Sequence, residues 1–154
     1  MRLKHALFLC GTFFALGGIS GIYFTYEYFV QTGVTGHIVG KGFTYEYSGT
    51  VTRVIDGDTL EVDGERVRLA LVDTPERGMS GFFEAAQFTA SLCSVGSTAY
   101  IDVDDGQPRD KYGRVVAVVY CKGKNLNAEL LKNGLAEIDE RFIPISEFDP
   151  SSWR

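Results

Sequence analysis

Residues 49–72 read GTVTRVIDGDTLEVDGERVRLALV, and their periodicity sets the fold class. From Gly49 the period is two, with Val51, Arg53 and Ile55 alternating with Thr50, Thr52 and Val54. That is the spacing of a strand whose side chains point to opposite faces in turn. Gly57-Asp58 makes a turn, residues 59–62 extend, and Asp63-Gly64 separates two β-branched runs. Asp-Gly in that position signals a tight hairpin, because both central residues of the favoured turn need positive φ. The chain returns over residues 66–72, placing Val67, Leu69 and Leu71 on one face and Arg66, Arg68 and Ala70 on the other. Arg68 therefore points away from the most apolar face, towards the mouth of whatever the strands enclose.

Pro75 blocks continuation of the sheet, and Gly78 and Gly81 mark a loop. Ala85, Phe88 and Leu92 then form a helical stripe with Gly96 as its stop. Residues 99–103 and 115–120 alternate again, and a short helix is expected over 126–133, with Asn125 as N-cap and Gly134 as stop. The expected fold is mainly β with helices (α+β), a five-stranded OB-fold-like barrel with packed helices. It spans residues 49–141. A tail over 142–154, with Pro144, Pro150 and Trp153, is expected to lie across the barrel as a strap.

The first thirty residues read differently. Arg2 and Lys4 precede an uncharged stretch, Ala6 to Tyr26, that would extend roughly 30 Å as a helix, about the thickness of a bilayer core. Tyr23, Tyr26, Tyr28 and Phe29 crowd its far end, where aromatic rings favour the membrane interface. Two readings of residues 1–30 stand, a transmembrane anchor and a cleaved signal peptide with Ala15-Leu16-Gly17 as a loose cleavage site. Either places the domain outside the cytoplasmic membrane. Residues 31–48, rich in Gly, Thr and Tyr, read as a linker, although Phe43–Tyr47 repeats residues 24–28 and also suits an edge strand.

A length of 154 residues allows one modest domain plus an appendage. With a net charge of −5, any binding of nucleic acid needs a local cluster of cations. His5 and His37 are the only histidines and neither falls in the predicted core, which disfavours histidine-based acid–base catalysis, Ser-His-Asp and Cys-His triads and histidine-rich zinc sites. Cys93 and Cys121 are the only cysteines in the exported part. One disulfide and two buried thiols both fit them.

Carboxylates and arginines remain as the chemistry. Asp56-Gly57-Asp58 and Asp73-Thr74-Pro75-Glu76 are acidic clusters with Arg68 between them, and Asp110-Lys111-Tyr112-Gly113-Arg114 follows downstream. Such a set can hold a hard cation against a phosphodiester and neutralise the charge that builds up during attack. Asp56 reads as a turn residue or as one that supports the groups holding the cation.

Taken in order, IDGDT at 55–59, RLALVDTPE at 68–76, Glu84-Ala-x-x-Phe-Thr89, Gly106-Gln-x-x-Asp-Lys-Tyr-Gly-Arg114 and the segment 127–136 resemble the staphylococcal-nuclease (thermonuclease) family over residues 49–137. The resemblance implies a Ca²⁺-dependent, sequence-nonspecific nuclease acting on DNA and RNA and leaving 3′-phosphates. It implies Asp58, Asp73 and the Thr74 carbonyl as Ca²⁺ ligands. Glu76 would be general base or orienter of water, Arg68 and Arg114 would grip the phosphate, and Tyr112 would shape the nucleotide pocket. Two departures stand out. The connection after Glu76 is short, and Glu140 occupies the neighbourhood where the family often places a base-stacking aromatic. A catalytically weak or inactive nucleic-acid-binding module is the alternative. A monomer is expected.

Overall fold

The computed structural model describes residues 38–40 and 43–153. The segment read as anchor or signal, residues 1–30, lies outside them, and no helix among the described residues is long and apolar enough to cross a membrane. A hairpin of β1 (Ile38–Gly40) and β2 (Phe43–Tyr45) comes first. β3 (Tyr47–Val54), β4 (Thr59–Val62), β5 (Glu65–Leu69) and the short β6 (Val72–Asp73) follow, then α1 (Phe82–Leu92), β7 (Thr98–Val103) and β8 (Val115–Cys121). The chain finishes with β9 (Lys124–Asn125), α2 (Leu126–Lys132), β10 (Glu137–Ile138) and a 3-10 turn at Pro150–Trp153.

The order β5-β4-β3-β7-β8 is antiparallel throughout and closes by a parallel pairing of β5 with β8, giving a five-stranded barrel. Its interior is filled by Val51, Leu60, Val67, Leu69, Ile101 and Val119, all essentially inaccessible. Asp63 (φ 49°) and Gly64 (φ 86°) both take positive φ, as the expected hairpin demands. The closing pair sets Arg68 beside Val116, so the residue from β5 and the loop ending at Arg114 meet at one end of the barrel.

Four expectations are corrected. β3 carries a bulge between Val51 and Arg53, so Arg53 turns outward and Val54, not Arg53 or Ile55, continues the core face begun by Val51. The return strand does not run unbroken to Val72. It stops at Leu69, Leu71 takes φ 58°, and Val72–Asp73 pair instead with Ile138–Glu137. Asn127, fully buried on α2, donates to the Ala70 and Ala117 carbonyls and accepts from the Val119 N–H, which fixes that break. Gly96 does not stop α1. The helix ends at Leu92, and Gly96 turns the chain four residues on. The linker reading of 31–48 fails from Ile38 onward, because β1 and β2 form a hairpin, Tyr47–Thr50 pair with Ile101–Thr98, and Phe43 of β2 packs against Tyr100 of β7 and Tyr120 of β8. The Phe43 ring stacks on Tyr120 at 4.0 Å, and Val103 N–H donates to Glu46 at 2.6 Å.

α2 forms as its sequence indicates. The Asn125 side chain accepts from Ala128 N–H and Gly134 takes φ 65° beyond the end. The tail crosses the barrel and buries Trp153 against Phe148 and α2. Cys93 and Cys121 form a disulfide from the end of α1 to the end of β8.

Candidate active site

A cavity of about 460 Å³ opens at the barrel end where β5, β6 and the 104–114 loop meet. Asp58, Arg68, Asp73, Glu76, Tyr112 and Arg114 all line it, so six of the seven residues singled out from the sequence share one space. Thr74 is not among its lining residues. It is buried, and its N–H and hydroxyl both donate to Asp58 Oδ2, at 2.8 and 3.0 Å.

Asp58 sits on a turn pressed against α1. A Cβ on Gly57 would lie 2.7 Å from Ala85 and from the Thr74 hydroxyl, so only glycine lets the turn approach this closely. The Thr89 hydroxyl donates to the Gly57 carbonyl at 2.5 Å and pins it from the helix. Asp56, read as a turn or supporting residue, also lines the cavity. Burial, and then the neighbouring Asp58 charge, raise its carboxyl above the ordinary range.

Arg68 ties the site together. Nη1 donates to the carbonyls of Leu69 (2.8 Å) and Val72 (2.5 Å), which holds the Ala70–Leu71 turn. Nη2 reaches Asp73 at 2.8 Å, and Nε lies 3.3 Å from Asp58. Both aspartates therefore converge on one positive group. Arg114 is held by Asp110 at 2.6 Å, with Nη1 3.3 Å from the Thr59 hydroxyl. Burial alone would raise the Asp110 carboxyl. The Arg114 guanidinium and the N–H groups of Tyr112 and Arg114 outweigh it and hold that carboxyl below the usual range. Tyr112 is 71% exposed on the rim, with Lys111 and Arg114 over its ring at 4.9 and 5.5 Å. Glu76 is exposed on the opposite loop.

Asp139, Arg141 and Phe142 form a further wall that the sequence did not indicate. Asp139 binds Arg141 through two bonds of 2.7 Å, which, ahead of burial, lowers its carboxyl. Arg141 lies 5.5 Å from the Phe142 ring. An aromatic thus does reach the cavity two positions beyond Glu140. Nothing in local composition announced it, because the pairing of β10 with β6 brings this segment round.

Seven carboxylates (Asp56, Asp58, Asp73, Glu76, Asp104, Asp110 and Asp139) face four cations (Arg68, Lys111, Arg114 and Arg141) in the lining, three negative charges in excess. A phosphodiester entering this space is repelled unless a cation accompanies it. Among the described residues no three Asp, Glu, His or Cys side chains cluster tightly enough to hold a metal by themselves. Asp58 and Asp73 nevertheless suit a hard cation, being oxygen donors already aimed at a shared positive charge. Water, main-chain oxygen and substrate oxygen would complete such a shell.

The family model described as "Staphylococcal nuclease homologue" matches residues 66–149. The chain is 37% identical over 109 residues to Endonuclease YncB of Bacillus subtilis, covering 64% of this chain and 51% of that protein. It is 34% identical over 109 residues to the SPbeta prophage-derived endonuclease YokF of the same organism, with 64% and 36% covered. With the Thermonuclease of Staphylococcus intermedius the identity is 38% over 103 residues, covering 61% and 60%. The chain thus spans about a third to three-fifths of these relatives. A closed five-stranded barrel, the ordered motifs on its mouth and the match over more than half the sequence place this chain in the staphylococcal nuclease homologue family.

Proposed function

We propose that this chain is a Ca²⁺-dependent nuclease that hydrolyses DNA and RNA without sequence preference to 3′-phosphate products, as a monomer outside the cytoplasmic membrane. The observation that carries the reading is the sharing of one cavity by Asp58, Asp73, Arg68, Glu76 and Arg114. Arg68 and Arg114 present planar guanidinium groups that match phosphate oxygens in pairs and keep their charge at any working pH. Arg114, oriented by Asp110, would stabilise the leaving 5′-oxygen. Glu76 would orient a water and accept its proton, and Tyr112 would shape the nucleotide pocket. Asp58 and Asp73 would hold Ca²⁺, which supplies the charge neutralisation that this acidic lining lacks. The Cys93–Cys121 bridge supports an oxidising compartment, and the apolar run from Ala6 to Tyr26 supports membrane tethering or export.

The test is degradation of plasmid DNA and of RNA with Ca²⁺, with chelator, and by a Glu76→Gln/Arg114→Ala double variant. Activity needs Ca²⁺ and falls by at least a hundredfold in the double variant, on the order expected for losing a general base and a charge stabiliser. Equal cutting by the double variant refutes the site. The binding-module reading draws on one observation, that the Arg68 guanidinium is engaged by both aspartates and two carbonyls. Single-strand binding without turnover in millimolar Ca²⁺ would favour it.

A further inference from the structure

A second opening lies on the other side of Tyr112. It is a groove of about 560 Å³ lined by the 63–66 turn and by Tyr112, Gly113 and Arg114. Tyr112 and Arg114 line both spaces, so a strand leaving the active-site cavity can pass over the Tyr112 ring into the groove. Gly64 and Gly113 keep its walls low, since a Cβ on either would meet nothing within 4 Å.

Arg66 is the cation that this groove does not share with the active-site cavity. It alternates onto the same face of β5 as Arg68, and two strand residues separate their Cα atoms by about 7 Å. One nucleotide of an extended strand spans a step of that size. The nearby carboxylates are engaged elsewhere. Glu65 pairs with Arg109 at 2.5 Å, Asp63 accepts from Thr50 N–H at 3.1 Å, and Glu61, opposite Arg66 in the register, pairs with Arg53 at 3.4 Å. Among the described residues no ion pair engages Arg66, which leaves its guanidinium for a ligand.

We propose that this groove is an additional subsite for a single polynucleotide strand, in which Arg66 contacts a phosphate beyond the one at the cleavage position. Tyr112 is the stacking platform between the two. The proposal rests on the nuclease reading above and adds a preference for polymer over the shortest substrates.

The experiment compares the full chain with Arg66→Ala and Arg66→Lys in Ca²⁺. Substrates are a DNA single strand of about twelve nucleotides and a dinucleotide, each at several salt concentrations. Arg66→Ala raises KM for the long strand roughly three- to tenfold at low salt, as loss of one partly exposed charge-assisted contact would. kcat changes little, and the preference for the long strand shrinks by the same factor. The salt slope of log KM falls by about 0.7, the share of one phosphate contact on a single strand. Arg66→Lys keeps most of the wild-type slope. Equal effects on both substrates, no effect on either, or an unchanged slope overturns the subsite. Failure of the nuclease reading looks different, because wild type then cuts nothing. Fluorescence anisotropy with the long strand still reads the groove in that case: a weaker Kd in Arg66→Ala supports it, and an unchanged one overturns it.

Discussion

Removing the Cys93–Cys121 bridge has a cost that can be worked from chain entropy. The two residues are 28 apart in sequence, and cross-linking a loop of that length removes about 12 cal/mol/K of entropy from the unfolded chain, or about 3.6 kcal/mol at 25 °C. The compact unit, Val34–Arg154, has about 120 residues, so its unfolding entropy is about 0.25 kcal/mol/K near the midpoint. The thermal midpoint should therefore drop by about 14 °C. Cys93→Ala/Cys121→Ala is the variant, and reduced wild type is the check, because alanine also removes buried sulfur from positions that are 0% exposed. Scanning calorimetry reads the midpoint. Intact mass before and after reduction confirms that the native chain lacks two hydrogens. That burial also predicts that thiol reagents attack only after unfolding. The closed loop contains Asp110 through Arg114, so activity should be lost at a lower temperature along with the fold. A fall of less than about 4 °C in both forms would refute the reasoning, since the unfolded chain would then not be gaining the freedom assumed for it.

Three further outcomes follow from named contacts. Asn127→Leu leaves the Val119 N–H and the Ala70 carbonyl buried without their side-chain partner, at about 1–3 kcal/mol for each group; urea midpoints at constant m-value should show a loss of about 2–6 kcal/mol, and a loss under about 1 would contradict it. Gly106→Ala would put a Cβ 1.6 Å from the Ile145 carbonyl oxygen, so the tail must lift from the 104–107 loop; Trp153, the only tryptophan, should red-shift in fluorescence, and unchanged emission would argue against that clamp. The Asp110 carboxyl is depressed in the folded state, so its contribution to stability is present above the ordinary carboxylate pKa of about 3.9 and is lost as pH falls through the lower folded value. Asp110→Asn should flatten the acid limb of stability below about pH 4, and an identical limb would exclude this residue as a cause.

Local signals were strong where one residue type answers one backbone need. Asp63-Gly64, Asn125 and Gly134 announced a hairpin, a cap and a stop, and each is found there. The barrel, too, was legible from the alternation of residues 59–69, whereas the alternation read over 115–120 fails, because β8 is an unbroken apolar run buried on both faces. What the pattern hid depended on distant partners. The bulge at Val51/Arg53 is set by pairing with β4, and the end of β5 is set by Asn127 reaching across from α2. Period-two reading treats a strand as regular until something breaks it, and neither cause lies within the strand itself. At the site, the acidic and arginine residues were legible because their chemistry is unusual at that spacing. Asp139, Arg141 and Phe142 were not, since they arrive through a two-residue strand pairing too short to leave a periodicity.

Arg68 shows why the acidic lining and the arginines belong to one device. Its Nη1 is committed to the Leu69 and Val72 carbonyls, which keep Leu71 at its positive φ and the turn closed. The remaining edge, Nε and Nη2, faces Asp58 and Asp73. That edge is also the one able to take two phosphate oxygens side by side. On the proposed function, the aspartates and a phosphate would compete for the same pair of N–H groups, and a second positive partner for the aspartates would relieve that competition. Charge balance in the lining points the same way, with three more carboxylates than cations. A guanidinium used only to neutralise aspartates would not need its second edge fixed to the main chain. Here that fixing holds Nε and Nη2 in place independently of the aspartates, so an exchange from carboxylate to phosphate, as the proposed function needs, would require no movement of the turn.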